Sequence, residues 1–244
     1  WLGLREAPVR LIDKIGHPDH DGRLDLAAET LRAETEESLR RLGRDSVDIL
    51  MLHRDDPARP VSAMAETLLD LVERGYATAT GVSNWPAPRL AELESVYRQA
   101  GHVPVVSYQH SLATPVSPLW PGTRHADEEL LGLVVDRQLP FLAWAGQARG
   151  FFAGRSEPVT PGGPDPFDSP VNRSRRRRCT ALAADLGTTP DTVALAWSLH
   201  RSHAWPVVGA RSVAEVARSM TAAELRLDTV TVRWLERGAD RAEN

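Results

Sequence analysis

A single cysteine, Cys179, stands in 244 residues, which excludes an intramolecular disulfide framework and a multi-cysteine zinc site. No apolar run approaches the roughly 20 residues that span a bilayer. No apolar segment follows a basic start in the manner of a secretory leader, so a cytoplasmic chain with no membrane partner is expected. Basic residues are outnumbered, 29 Lys+Arg against 33 Asp+Glu for a net charge of −4, which argues against a nucleic-acid partner. No G-x-G-x-x-G turn follows the first apolar run, so a Rossmann reading has no support. Tyrosine is scarce, with Tyr76, Tyr97 and Tyr108 the three present. What remains is ordinary for a globular chain, 42% hydrophobic and 25% charged, and excludes a disordered, coiled-coil or collagen-like one.

Short apolar runs alternate with amphipathic segments. The strand candidates are Val9–Ile12, Val47–Leu52, Thr78–Val82, Val103–Tyr108, Leu139–Ala143 and Trp205–Val208. Between them, helical spacing predicts helices over 28–42, 61–72, 88–99, 127–137, 175–186, 190–200, 212–222 and 229–237. Gly43 and Gly75 stop the first two, and Thr189–Pro190 is an N-cap and N1 pair. Strands apolar throughout, each followed by a helix, imply a parallel sheet covered on its faces. The expected class is α/β, a (β/α)8 TIM barrel of which about six β/α units are present, in one domain over 1–244 that lacks its N-terminal units. The Pro/Gly-rich stretch from Ser156 to Pro170 reads as a mobile surface loop or a lid over a site.

In such a barrel the reactive groups sit at the C-terminal ends of the strands. Here those ends carry Asp13 and Lys14; His53, Arg54, Asp55 and Asp56; Ser83, Asn84 and Trp85; Gln109; Trp144; and Gly209, Arg211 and Ser212. Packing alone requires no such set of polar groups.

The stretch SVDILMLHRDDP (Ser46–Pro57) with GVSNW (Gly81–Trp85), followed by RGFF (Arg149–Phe152) and VVGARSVAEV (Val207–Val216), resembles the aldo-keto reductases, most nearly a bacterial branch with HRDDP and SNW signatures. The resemblance implies an NADP(H)-dependent oxidoreductase that reduces an aldehyde or ketone to an alcohol. Lys14 and His53 match the family's catalytic lysine and histidine. The Asp and the proton-donating Tyr have no match, since the family places them before the lysine, and an upstream segment is expected to carry them. Ser83, Asn84 and Gln109 match the residues that hold the nicotinamide carboxamide, and Trp144 the ring stacked on it. Gly209, Arg211, Ser212, Glu215 and Ser219 match the phosphate-binding turn and helix. Glu215 departs from the usual glutamine and Ser219 from the usual Asn. Arg54 and Trp85 fall at the substrate pocket.

Each residue also has a plainer reading. Lys14 can be a barrel-end salt-bridge partner and His53 a core histidine. The HRDD run and the group Asp13, His17, Asp19, His20 and Asp21 contain metal-ligand types, but adjacent carboxylates diverge and the second group reads as a solvated loop, so no metal is expected. Glu215 can complete a capping box from Ser212. The arginines at 173 and 175–178 are a phosphate patch or a solvated face. Kept as written, the chain is a barrel remnant without its acid: a partner subunit, a binding protein or a lyase. An open six-stranded sheet would leave two edges for an N-terminal segment or a second copy of the chain to close.

Overall fold

The computed structural model describes residues 9–155, 158–160, 162–202 and 204–238. Trp1, and residues 156, 157 and 161 of the breaker-rich stretch, lie outside the described residues. The chain divides into two compact units, Trp1–Ser107 with Asp136–Pro140, and Tyr108–Val135 with Phe141–Asn244.

The first unit holds β1 (Ile12–Ile15), α1 (Ala28–Leu42), β2 (Val47–Leu52), α2 (Val61–Glu73), β3 (Ala77–Ser83), α3 (Ala87–Gln99) and most of β4 (Val105–Gln109). The strands are parallel and in chain order, with Lys14 opposite Met51, Met51 opposite Gly81 and Gly81 opposite Val105. The last pairing explains a glycine: a Cβ on Gly81 would lie 1.9 Å from the Val105 carbonyl oxygen. Leu31, Thr35 and Leu39 form the buried stripe of α1, which ends at Gly43 in the left-handed region, its N–H closing on the last carbonyls. In α2 the buried face is Val61, Met64, Ala65, Leu68 and Leu71. Each fully buried Leu or Met contributes about 1.5–3 kcal/mol.

The second unit holds α4 (Glu128–Asp136), β5 (Phe141–Trp144), a 3-10 segment (Ala148–Ala153), α5 (Pro170–Leu186), α6 (Pro190–Ser202), β6 (Trp205–Val207), α7 (Val213–Thr221) and α8 (Thr229–Arg237). β5 and β6 pair in parallel, with Trp144 opposite Val207. Phe151, Phe152, Phe167, Leu182, Val193 and Leu235 are buried in its core.

Several boundaries differ from expectation. The first strand is Ile12–Ile15 rather than Val9–Ile12, because the Leu11 backbone is tied to Asp48: its carbonyl accepts from Asp48 N and its N–H donates to the Asp48 carboxylate. β4 starts at Val105, after Pro104, which has no N–H to give a ladder. Helix α5 begins five residues early, at Pro170, because Ser169 caps it by accepting the Asn172 N–H at 3.2 Å. Phe167, just before that cap, is fully buried, and its carbonyl accepts from the Asn172 side chain. The C-terminal part of the breaker-rich stretch is therefore anchored.

The arginine run is a staple rather than a patch. Arg178 donates to the carbonyls of Leu235 and Glu236 at the C-terminal end of α8, Arg175 reaches the Glu236 carbonyl, and Arg176 lies over the Phe151 ring at 4.9 Å. Cationic donors at helix C-terminal carbonyls satisfy groups that have no partner within the helix. At the outer strands apolar surface is exposed, Ile12 by 46% and Trp205 by 62%. Pro206 sits on β6, as proline does on an edge strand.

Candidate active site

In the first unit the candidate side chains come from three consecutive strand ends. Strand alternation sets the first: Asp13 accepts a hydrogen bond from Ser38 of α1, so Lys14 projects to the other face. Lys14 is half-buried, and burial, with the Arg54 charge second, lowers its pKa. It also lines a cavity of about 570 Å³ beside β1. His53 follows β2, with its N–H fixed on the Ile15 carbonyl at 2.8 Å. Burial first, then the charges of Lys14, Arg54 and His17, push the imidazole down to about 3. It is therefore neutral at physiological pH, with one N–H donor and one acceptor nitrogen. The His17 ring stands edge-on to it at 4.6 Å.

The third strand end holds this arrangement rigid. Asn84 adopts φ 67°, a left-handed conformation that asparagine tolerates better than most residues. From there its N–H donates to the Ser107 carbonyl and its amide to the His53 carbonyl (3.3 Å) and Ser83 Oγ (2.9 Å). Ser83 Oγ donates in turn to the Ser107 carbonyl. The His53 carbonyl also accepts from Arg54 Nη1 at 2.8 Å. Trp85 is fully buried, its indole N–H directed at the Arg54 carbonyl, with Arg89 over the ring at 5.3 Å. Arg89 grips Asp55 through Nε and Nη2 and also donates to the Asp56 and Arg59 carbonyls. The HRDD loop thus uses Asp55 as an ion-pair partner. In the neighbouring His/Asp loop, Asp19 takes the N–H groups of Asp21 and Arg23, while Asp21 pairs with Arg23.

In the second unit Gln109 is buried with both ends of its amide engaged: Oε1 meets His125 Nδ1 at 2.6 Å and Nε2 donates to Ser111 Oγ at 2.8 Å. Trp144 ends β5 half-buried, 6.2 Å from the Trp120 ring. Beyond it the backbone takes left-handed turns at Ala145, Ala148 and Arg149, with φ of 54°, 49° and 52°. Strain of this kind clusters at ligand clamps. That loop lines a cavity of about 200 Å³ together with Arg155, Gly209, Arg211 and Glu215.

Helix α7 starts at this cavity. Ser212 caps it, accepting the Glu215 N–H at 3.2 Å, and Glu215 reaches back to the Arg211 N–H at 2.7 Å. The capping role read from S-x-x-E is present, reaching one residue further than the usual box. The other Glu215 oxygen accepts from Arg155 Nη1 at 3.0 Å. The Arg211 N–H, then Arg155, hold its carboxyl below the usual range. Ser219 is buried and accepts from Gln147 at 3.3 Å.

The tyrosines and the cysteine serve elsewhere. Tyr76 donates to Glu36, the buried Tyr97 hydroxyl meets Thr80, and Tyr108 is fully buried, 6.3 Å from the Phe141 ring. Burial pushes the Cys179 thiol up to about 12, which leaves it no thiolate character. His17, Gln147 and Arg155 were not anticipated as site residues. The first stands three residues past Lys14, a position that strand-end reasoning could have flagged. The other two depend on where loops return.

Taken by itself, the cavity of the second unit, lined by Arg149, Arg155 and Arg211 beside the start of α7, carries the charge to meet the phosphates of a dinucleotide. In the first unit, Ser83 and Asn84 at the β3 end are residue types that can bond an amide.

The model of the Aldo/keto reductase family matches residues 5–237. The chain is 25% identical to the versiconal hemiacetal acetate reductase of Aspergillus parasiticus, covering 89% of this chain and 64% of that protein. It is 24% identical to a putative voltage-gated potassium channel subunit beta of Schizosaccharomyces pombe, covering 82% and 60%. It is 26% identical to the oxidoreductase YrpG of Bacillus subtilis, covering 96% and 72%. The chain thus spans less than two thirds of the first two relatives. Among solved structures, a thermostable aldo-keto reductase, Tm1743, in complex with the inhibitor epalrestat aligns with a TM-score of 0.70 at 19% identity, covering 92% of this chain and 69% of that one. That likeness shows the fold, the expected α/β class with units of a (β/α)8 barrel. With the family model covering nearly the whole chain, this chain belongs to the aldo/keto reductase family.

Proposed function

We propose that the chain carries the coenzyme-binding residues and half of the catalytic group of an oxidoreductase that reduces an aldehyde or ketone to an alcohol. When bound, a reduced nicotinamide dinucleotide supplies the hydride. The observation that carries the reading is the placement of a partly buried Lys14 on β1 and a partly buried, neutral His53 at the end of the neighbouring β2, whose backbone is bonded to Ile15 at 2.8 Å. A neutral imidazole donates its N–H to a carbonyl oxygen and orients it. The Lys14 ammonium, with Arg54 behind it, stabilises the negative charge that develops on that oxygen during reduction. Lys14 also biases a neighbouring hydroxyl acid towards releasing its proton. Family resemblance assigns that acid to a tyrosine preceding this chain's lysine. Family resemblance assigns Ser83 and Asn84 in the first unit, and Gln109 and Trp144 in the second, to the nicotinamide. Gly209, Arg211, Ser212, Glu215 and Ser219 form the phosphate end.

The test separates chemistry from binding. His53→Ala should cut turnover of a small aldehyde by about 10²–10³-fold while changing dinucleotide affinity less than about threefold. Equal losses in both would remove His53 from the chemistry.

A second reading has one observation in its favour: all three tyrosines are engaged within the fold. Under it the chain binds dinucleotide as part of an assembly without performing reduction, and one relative is named as a channel subunit. Dinucleotide binding without turnover in the purified chain would favour it.

A further inference from the structure

We infer that Glu215 is the coenzyme-selecting residue and that it favours a dinucleotide whose adenosine ribose carries a free 2′-hydroxyl, NAD(H), over one with a 2′-phosphate, NADP(H). The inference rests on the coenzyme reading of the α7 site and departs from the preference that the family resemblance implies.

The argument begins with what the α7 N-terminus offers. Its N–H groups and neighbouring arginines form an anion site. In this chain an internal anion, the Glu215 carboxylate, already takes part of it. One Glu215 oxygen takes the Arg211 N–H at 2.7 Å and the other takes Arg155 Nη1 at 3.0 Å. The remaining N-terminal donor with a named partner, Glu215 N–H, is taken by Ser212. Arg218, one turn further on, is paired with the buried Asp191 at 3.5 Å. Two of the cations near this turn, Arg155 and Arg218, are therefore matched by carboxylates that belong to the protein.

Arg155 is placed for this pairing by its own backbone. The 3-10 segment ends on Gly154 in the left-handed region, and the Arg155 N–H closes onto the Gly150 carbonyl at 3.1 Å. A 2′-phosphate arriving here meets a fixed carboxylate and must either sit beside it or displace it from both donors. A ribose 2′-hydroxyl instead donates to that carboxylate, which is how an acidic residue selects NAD in dinucleotide sites generally.

Calorimetric titration of the full chain with NAD+ and with NADP+ tests this. The unaltered chain should bind NAD+ the more tightly. Glu215→Gln keeps the shape and the backbone contact but removes the charge. It should shift the ratio of affinities towards NADP+ by about tenfold, with NAD+ changed much less. Adding Arg155→Gln to that variant should take back most of the gain, since Arg155 is the cation released. Tighter binding of NADP+ by the unaltered chain, or a ratio unmoved by Glu215→Gln, overturns the inference while leaving the coenzyme reading intact. Binding of neither nucleotide overturns both.

Discussion

The charges that act on Lys14 and His53 are all positive, whereas near Glu215 the arginines Arg155 and Arg218 each meet a carboxylate. In the first cluster Lys14 and Arg54 push on a neutral histidine, and burial depresses all three groups. Neither the Lys14 ammonium nor the His53 ring has a hydrogen-bond or ion-pair partner among the described residues. In the second, Arg155 meets Glu215 and Arg218 meets Asp191. A partly buried ammonium such as that of Lys14 is costly to the fold and most useful where negative charge develops. A compensated site binds its ligand only by exchanging partners. The first arrangement suits chemistry, the second selection.

The largest effect that could break this contrast comes from Lys14. Lys14→Met should lower turnover by about 10³-fold and raise the unfolding free energy by about 1 kcal/mol, because a half-buried unpaired ammonium is removed. Urea denaturation beside steady-state kinetics reads both. A variant that lost stability instead would make Lys14 structural and the contrast false.

Next in size is the clamp under the first cluster. Asp55 and Arg89 are mostly buried, at 8% and 21% exposure, and bonded two-pronged. Asp55→Ala leaves Arg89 buried without its carboxylate and should cost about 3 kcal/mol. His53 turnover should fall with it, since Arg54 and Trp85 are positioned by the same loop. Denaturant midpoints with an unchanged slope would check that the loss is one of stability.

How far these clusters were legible in the sequence follows the same division. Strand alternation and strand ends follow from local pattern, so His53, Ser83 and Asn84 lie at strand ends as read, and β2 and α1 matched to the residue. Even there the first strand slipped by three positions, because Asp48 holds the Leu11 backbone and no periodicity encodes that contact. In the second cluster the decisive partners lie far apart in sequence. Arg155 meets Glu215 across 60 residues and Gln147 meets Ser219 across 72. The capping role of Glu215 was readable from S-x-x-E, whereas its ion pair was not. The arginines of α5 misled for a related reason: a run of like charge reads as surface until the far carbonyls of α8 are known.

Two histidines sharpen the contrast by pH. His53 and His110 are both pushed down to about 3 by burial, but His110 is fully enclosed and neither of its ring nitrogens has a hydrogen-bond partner among the described residues. Between pH 6.5 and 3 the unfolded chain takes up a proton at His110 and the folded chain does not. Stability is therefore complete above about 6.5 and falls by about 1.4 kcal/mol for each pH unit below it. His110→Phe should lose about 2 kcal/mol less than the unaltered chain on going from pH 7 to pH 5, by urea denaturation at each pH. Equal losses would mean that His110 is protonated in the folded state.

The smallest effect lies in the second cluster, at Ser219. Its hydroxyl accepts a 3.3 Å hydrogen bond from Gln147, whose loop lines the α7 cavity. Ser219→Ala removes that acceptor, but Gln147 is near enough to the cavity for water to replace it, so the cost in stability should stay near 0.5 kcal/mol. Dinucleotide affinity should fall about twofold through the freed loop, by the same amount for NAD+ and NADP+, because the Ser219 hydroxyl has no hydrogen bond to Glu215 or Arg155 among the described residues. A loss confined to one nucleotide would show that selection is spread through the compensated cluster rather than vested in one carboxylate. The uniform loss would keep selection at Glu215 and leave Ser219 the task of holding the loop against the helix.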